Sequence, residues 1–319
     1  MPYIPNSTYR PSPIFHNGHI STIYSGILRK FGSPKYDWEK LLLPDGDFLL
    51  LDSQIRHPKR AVILCHGLEG DSRKNYINIC ANFFLEKNYS VFAWNNRSCG
   101  GQMNSLPQLY HHASIEDFEF VIKHVIKQGF SEVFLIGFSL GGDQILNYLG
   151  KKKAPESVKA AVAISAPFQL KSSAIKLQTG LSKIYHRRFI GKVRAKIAAK
   201  AIQFPEVVPV DAAQHIKNFD DVVSRFIIPV HGGYSDLADY YLNASPGNSV
   251  SGIQLPILVI NAWDDPILGT MDHPIEMAKA HNYLFLETPD HGGHCAFPPK
   301  DASHPYSIER AHDFFREMA

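Results

Sequence analysis

The 319-residue chain is 45% hydrophobic and 20% charged, and its 33 lysines and arginines against 30 acidic residues give a formal net charge of +3. These proportions exclude intrinsic disorder, coiled-coil and collagen-like architectures, and the small total charge offers no argument for a nucleic-acid partner. Cys65, Cys80, Cys99 and Cys295 stand at scattered spacings without a Cys-x-x-Cys pair, so they read as free thiols rather than a metal or redox site. No early apolar run is long enough for a signal-peptide core and none later approaches a membrane span, so a soluble, cytoplasmic protein is expected.

The length fits one large α/β domain carrying an insertion. Residues 1–37, rich in proline, tyrosine and histidine without periodicity, read as an N-terminal arm packed on the core. Leu41-Leu42-Leu43 and Phe48-Leu49-Leu50-Leu51 flank the turn signal Pro44-Asp45-Gly46-Asp47 and predict a hairpin at the antiparallel edge of a sheet. Ala61 to Cys65 is short and wholly apolar, as a strand buried on both faces should be, and it leads into His66-Gly67-Leu68-Glu69-Gly70. A helix over 75–86, a strand over 90–94 and an amphipathic helix over 114–127 follow. Strands are expected again at 133–138, 160–164, 257–260 and 283–286. The series predicts a mostly parallel central sheet with helices on both faces. Its core would be 38–166 and 253–319, with 167–252 inserted as a helical cap.

The cap stretch from Lys171 to Pro205 holds nine basic residues and no acidic one, with Ile190, Val193, Ile197 and Ala201 on one helical face. Such a helix can touch an anionic membrane surface transiently or grip an acidic group. Its plainer role is to pack its apolar side on the core and keep its charges in water.

The organising stretch is Val133 to Gly142, where a buried strand ends in Gly137-Phe138-Ser139-Leu140-Gly141 and a helix starts at once. A serine on so sharp a turn is strained, and the glycines two before and two after it let the strand and helix approach. A serine hydroxyl attacks a carbonyl only when an adjacent base takes its proton, and a carboxylate must hold that histidine's tautomer. The acid and histidine are expected later in the chain, after strands. Trp263-Asp264-Asp265-Pro266 and His291-Gly292-Gly293-His294 occupy those places. Asp265, directly before the turning proline, is preferred over Asp264, and His294 over His291. The oxyanion needs two aimed amides, here nominated as the backbone N–H groups of Leu68 and Leu140. His66, before a glycine at a strand end, suits a structural hydrogen bond better than a catalytic one.

With these residues in place the sequence resembles the α/β-hydrolase superfamily and, within it, the YheT-like esterases, related to plant embryogenesis-associated and animal lipid-acting members. The resemblance runs through Gly18-His19-Ile20-Ser21-Thr22-Ile23-Tyr24, Leu43 to Asp47, His66 to Gly70 and Asn96-Arg97-Ser98-Cys99-Gly100-Gly101 with Tyr110-His111. It continues through Gly137 to Gly142, Tyr185-His186-Arg187-Arg188-Phe189, Phe219-Asp220-Asp221, Asn261 to Pro266 and His291 to His294. It implies serine esterase chemistry with a Ser139–Asp265–His294 triad, no cofactor, no metal, and acyl esters or lipids as small-molecule substrates. Two positions depart from the family: Arg97-Ser98 stands where arginine-glycine is usual, and Cys295 follows His294 where a small or aliphatic residue is common. Animal members carry an N-terminal membrane anchor, and no segment here reads as one. Three other readings stay open: acyl transfer to an alcohol, a ligand-binding protein that turns over slowly or not at all, and a metal site built from His291, His294 and the Asp264-Asp265 pair.

Overall fold

Alternating apolar runs and amphipathic stretches give alternating strands and helices. In the computed structural model, which describes residues 3–29, 31–300 and 304–318, the chain opens with β1 (Tyr3–Ile4), α1 (Gly18–Ile23) and a hairpin of β2 (Asp37–Leu42) and β3 (Phe48–Gln54). There follow β4 (Arg60–Cys65), α2 (Asn75–Glu86), β5 (Ser90–Asn95), α3 (Ile115–Lys127), β6 (Glu132–Phe138), α4 (Leu140–Lys151) and β7 (Val158–Ile164). A helical segment comes next. It holds α5 (Leu170–Leu177), α6 (Lys183–Gln203), the short α7 (Phe219–Val222) and α8 (Ile228–His231), and α9 (Leu237–Ala244). The sheet resumes with β8 (Ile257–Ile260), α10 (Ile275–Ala280) and β9 (Leu284–Glu287), and α11 (Tyr306–Met318) follows. No helix among the described residues is long and apolar enough to cross a membrane.

The strands form one sheet in the order β1-β9-β8-β7-β6-β4-β5-β3-β2. Among the described residues only the hairpin runs antiparallel, β3 against β5 and β2 against β3. Along β4, Ala61, Ile63 and Cys65 enter the core under α3 and α4, while Val62 and Leu64 enter the one under α2 and α11. That alternation is why the strand has no polar face. Each fully buried side chain of this size contributes about 1.5–3 kcal/mol. Because β4, β6, β8 and β9 are parallel, their carboxyl ends share one edge, where ligands of open α/β sheets bind.

Three features differ from the sequence expectations. The arm adds the edge strand β1, with Tyr3 in register with Leu286 and the Ser7 hydroxyl 2.5 Å from Glu287 Oε1. A two-residue strand has no period to detect. After the His294 loop, α11 buries Ile308, Ala311, Phe314 and Phe315, a helical spacing to which no element was assigned. The charges of α6 are also not all in water. Lys200 is 0% exposed, and its ammonium donates to the carbonyls of Asn104 (2.7 Å) and Leu106 (2.5 Å). Burial lowers its pKa to about 8. Ile190, Val193, Ile197 and Ala201 are buried as their spacing requires.

Phe314 is fully buried and meets the ring of Phe285 at 5.2 Å. Phe314→Ala should lower stability by about 3–5 kcal/mol, read as a fall in the urea midpoint.

Candidate active site

Ser139 sits between β6 and α4 with φ 54° and ψ −123°, in the left-handed half of conformational space. Such a residue carries strain of roughly 1–3 kcal/mol, and the structure holds it from both sides. Its N–H donates to Ile164 O at 2.8 Å, and its carbonyl accepts from Gly142 N at 2.8 Å and Asp143 N at 3.1 Å. The flanking glycines are obligatory in this geometry. A Cβ on Gly137 would stand 2.3 Å from Gly141 O, and one on Gly141 would stand 2.4 Å from Cys65 O.

The two aspartate candidates separate cleanly. His294 Nδ1 lies 2.9 Å from Asp265 Oδ2 and 3.1 Å from Oδ1. Asp265 is buried, and its Oδ1 also accepts the Ile267 and Leu268 amides at 2.8 and 3.3 Å. Asp264 instead accepts Gly293 N–H at 2.9 Å and meets His291 Nδ1 at 3.3 Å, so it holds the histidine loop rather than the histidine. Burial disfavours the His294 imidazolium, but the Asp265 carboxylate against Nδ1, with the Cys295 thiol beside it, raises its pKa well above the ordinary value. His291 and His294 therefore serve different carboxylates. Among the described residues, no three histidine, cysteine or acidic side chains converge as a metal site would need.

In the loop after β4, Gly67 N–H donates to Tyr76 Oη (3.0 Å), Glu69 N–H to Tyr110 Oη (2.7 Å) and Gly70 N–H to Gly67 O (3.0 Å). Among the described residues, no acceptor takes the Leu68 or the Leu140 N–H. A Cβ on Gly67 would come within 3.1 Å of the Ser139 Cβ, so this loop passes directly over the serine. His66 is a structural residue. Its Nε2 accepts Asn96 N–H at 3.1 Å, its Nδ1 lies 2.8 Å from Gly67 O, and burial lowers its pKa to about 4.

Two cavities meet at Ser139. One, about 110 Å³, is walled by apolar side chains including Leu109, Leu177, Val193, Phe226 and Ile267 and also touches Leu68 and Leu140. The other, about 190 Å³, contains His294 and polar residues of α1, the β4 loop and α6.

Sequence reasoning left the arm without a role, and here it has one. Thr22 Oγ1 accepts the His294 N–H at 2.9 Å, and the His16 ring stacks on His291 at 4.3 Å. A Cβ on Gly18 would stand 1.8 Å from Asp264 O, so only glycine lets α1 lie against the acid loop. The Gly18-to-Tyr24 motif was the available signal. Ser98, where glycine is usual, takes a glycine-like φ of 60°. Its hydroxyl bonds Asn104, while Arg97 forks onto Asp117 with two bonds of 2.7 Å.

Comparison with known proteins identifies the fold and the family. The model of the alpha/beta hydrolase fold matches residues 60–301. The Escherichia coli (strain K12) protein YheT, named as an esterase, is 30% identical over 316 residues, covering 94% of this chain and 90% of its own length. The chain thus belongs to the α/β-hydrolase fold family, in its YheT-like branch. The Mus musculus phospholipase ABHD3 is 30% identical over 238 residues, 74% of this chain but only 58% of that relative. The Pyrococcus furiosus esterase PF2001 shares the fold, with a TM-score of 0.60 at 14% identity over 91% of this chain and 96% of its own.

An NMR titration of His294 should show a midpoint above the ordinary value of about 6.5. In Asp265→Asn, where burial acts without the carboxylate charge, the midpoint should fall below that of wild type. Any reaction needing neutral His294 should therefore rise with pH through the higher midpoint in wild type.

Proposed function

We propose that the protein is a carboxylester hydrolase, working on short- to medium-chain acyl or lipid esters through an acyl-enzyme. The observation that carries this is a strained serine beside two amides without acceptors, in a cavity shared with a histidine whose far nitrogen rests on a buried carboxylate. His294 takes the Ser139 proton as Oγ bonds the acyl carbon, and Asp265 stabilises the charged ring. The ester C–O bond then breaks, and the alcohol leaves with the proton from His294. A water molecule repeats the sequence against the acyl-enzyme, releasing the acid and restoring Ser139. The Leu68 and Leu140 amides receive the oxyanion, for which one lost donor typically costs about 3 kcal/mol.

The apolar cavity suits the acyl chain, and residues 167–252 act as a cap that supplies most of its wall. The names of YheT and ABHD3 support ester cleavage as the reaction class. The chemistry assigned to these residues calls for no cofactor.

The test is labelling by a fluorophosphonate probe alongside hydrolysis of nitrophenyl esters of increasing chain length. Wild type should label and turn over, with Ser139→Ala unlabelled and slower by at least about 10³-fold. A folded wild type that neither labels nor hydrolyses would favour the ligand-binding reading, or a lid that stays shut until its proper substrate or a membrane surface opens it.

A further inference from the structure

The nine-cation stretch of the sequence finds a partial explanation in the polar cavity. Tyr185, Arg188, Phe189 and Lys192 lie at i, i+3, i+4 and i+7 on α6, one helical stripe, and all four line that cavity with Ser139 and His294. Lys74 reaches it from the start of α2.

Charge pairing decides what this wall can hold. Lys74 is matched by Asp71 at 2.9 Å. Glu69 is matched by Lys196 at 2.9 Å and also bonded by the Tyr110 hydroxyl at 3.0 Å. Arg188 has no carboxylate partner among the described residues, and Lys192 reaches only the Glu69 carbonyl, at a long 3.3 Å. Burial lowers the Lys192 pKa, and repulsion from Lys74 and Arg188 lowers it further, with the Glu69 carboxylate opposing. Two cations one helical turn apart thus face a cavity that supplies no free counter-charge. Among the described residues, the apolar cavity that also meets Ser139 has no lysine or arginine in its wall.

We infer that the polar cavity binds a phosphate group on the alcohol half of the substrate, held by Arg188 and Lys192 while the acyl half occupies the apolar cavity. A phosphomonoester carries close to two negative charges near neutral pH. That matches two unpaired cations, one of them the forked guanidinium that suits phosphate oxygens. The inference rests on the ester-hydrolase reading and adds which half of the ester lies in which cavity.

The decisive measurement compares two esters with the same acyl chain, 1-octanoylglycerol 3-phosphate and 1-octanoylglycerol, each assayed as monomers in water and in phosphatidylcholine vesicles. The phosphorylated ester should have the higher kcat/KM. In an Arg188→Gln/Lys192→Gln double variant the ratio of the two should fall about tenfold or more, while Arg188→Lys, which keeps the charge but loses the fork, should fall between wild type and the double variant. A preference seen with monomers identifies a soluble phosphorylated ester, and one seen only in vesicles identifies a lipid headgroup. A ratio at or below one in both settings, or one that the double variant leaves unchanged, overturns the inference. Calorimetric titration with glycerol 3-phosphate against glycerol reads the same site without turnover. Phosphate-dependent binding lost in the double variant supports the site even if Ser139-dependent hydrolysis fails. Hydrolysis of nitrophenyl octanoate without such binding would leave the hydrolase intact and sink the phosphate site.

Discussion

Everything in this molecule depends on how closely one helix can approach two strands. At Gly137 and Gly141 the backbones of β6, α4 and the end of β4 come so near that a single added carbon would overlap a carbonyl oxygen. Main-chain atoms of a central strand cannot step aside as a flexible side chain can, so the approach requires glycine. Its consequence is positional. With α4 seated this deeply, Ser139 is pressed into a positive φ, and the loop after β4 passes over it with the Leu68 amide left without an acceptor.

The electrostatics around the serine follow from burial handled differently at each position. Asp265 is buried but surrounded by donors, two amides and His294. Asp264, one residue earlier, is lifted by burial above the ordinary carboxylate pKa and spends its bonds on the loop that carries the histidine. Adjacent carboxylates thus divide into one that orients a side chain and one that orients a backbone. The same economy appears at Lys200, whose buried ammonium ties α6 to the 104–106 loop through two carbonyl oxygens. A polar group kept from water needs such partners.

Most of the sheet was legible because its evidence is local. Wholly apolar runs such as Val62-Ile63-Leu64 announce central strands, and a strand ending in glycine–serine–glycine before a helix announces its own turn. The preference for Asp265 over Asp264 rested on the neighbouring proline, and the structure does bring Asp265 to His294. What stayed hidden lies in contacts between distant segments. Thr22 and His294 are separated by 272 residues, and no spacing in either stretch encodes that they meet. The burial of Lys200 was hidden for a related reason, since composition counts charges but does not say which will find partners. α11 is a different case, for its apolar spacing was present in the sequence and no element was assigned to it.

The arm carries a consequence for how the protein comes into being. β1 pairs with β9, and Ser7 bonds Glu287, 280 positions further along the chain. On the ribosome, the residues of β1 must wait for β9 before they find their place. The sheet from β4 to β7 can gather while synthesis continues, but the loop bearing His294 receives its Thr22 support only after the chain has passed β9. Contacts of such long sequence separation are also the slow ones in folding. The brace on the His294 loop therefore needs both distant segments in place, however much of the sheet has already gathered.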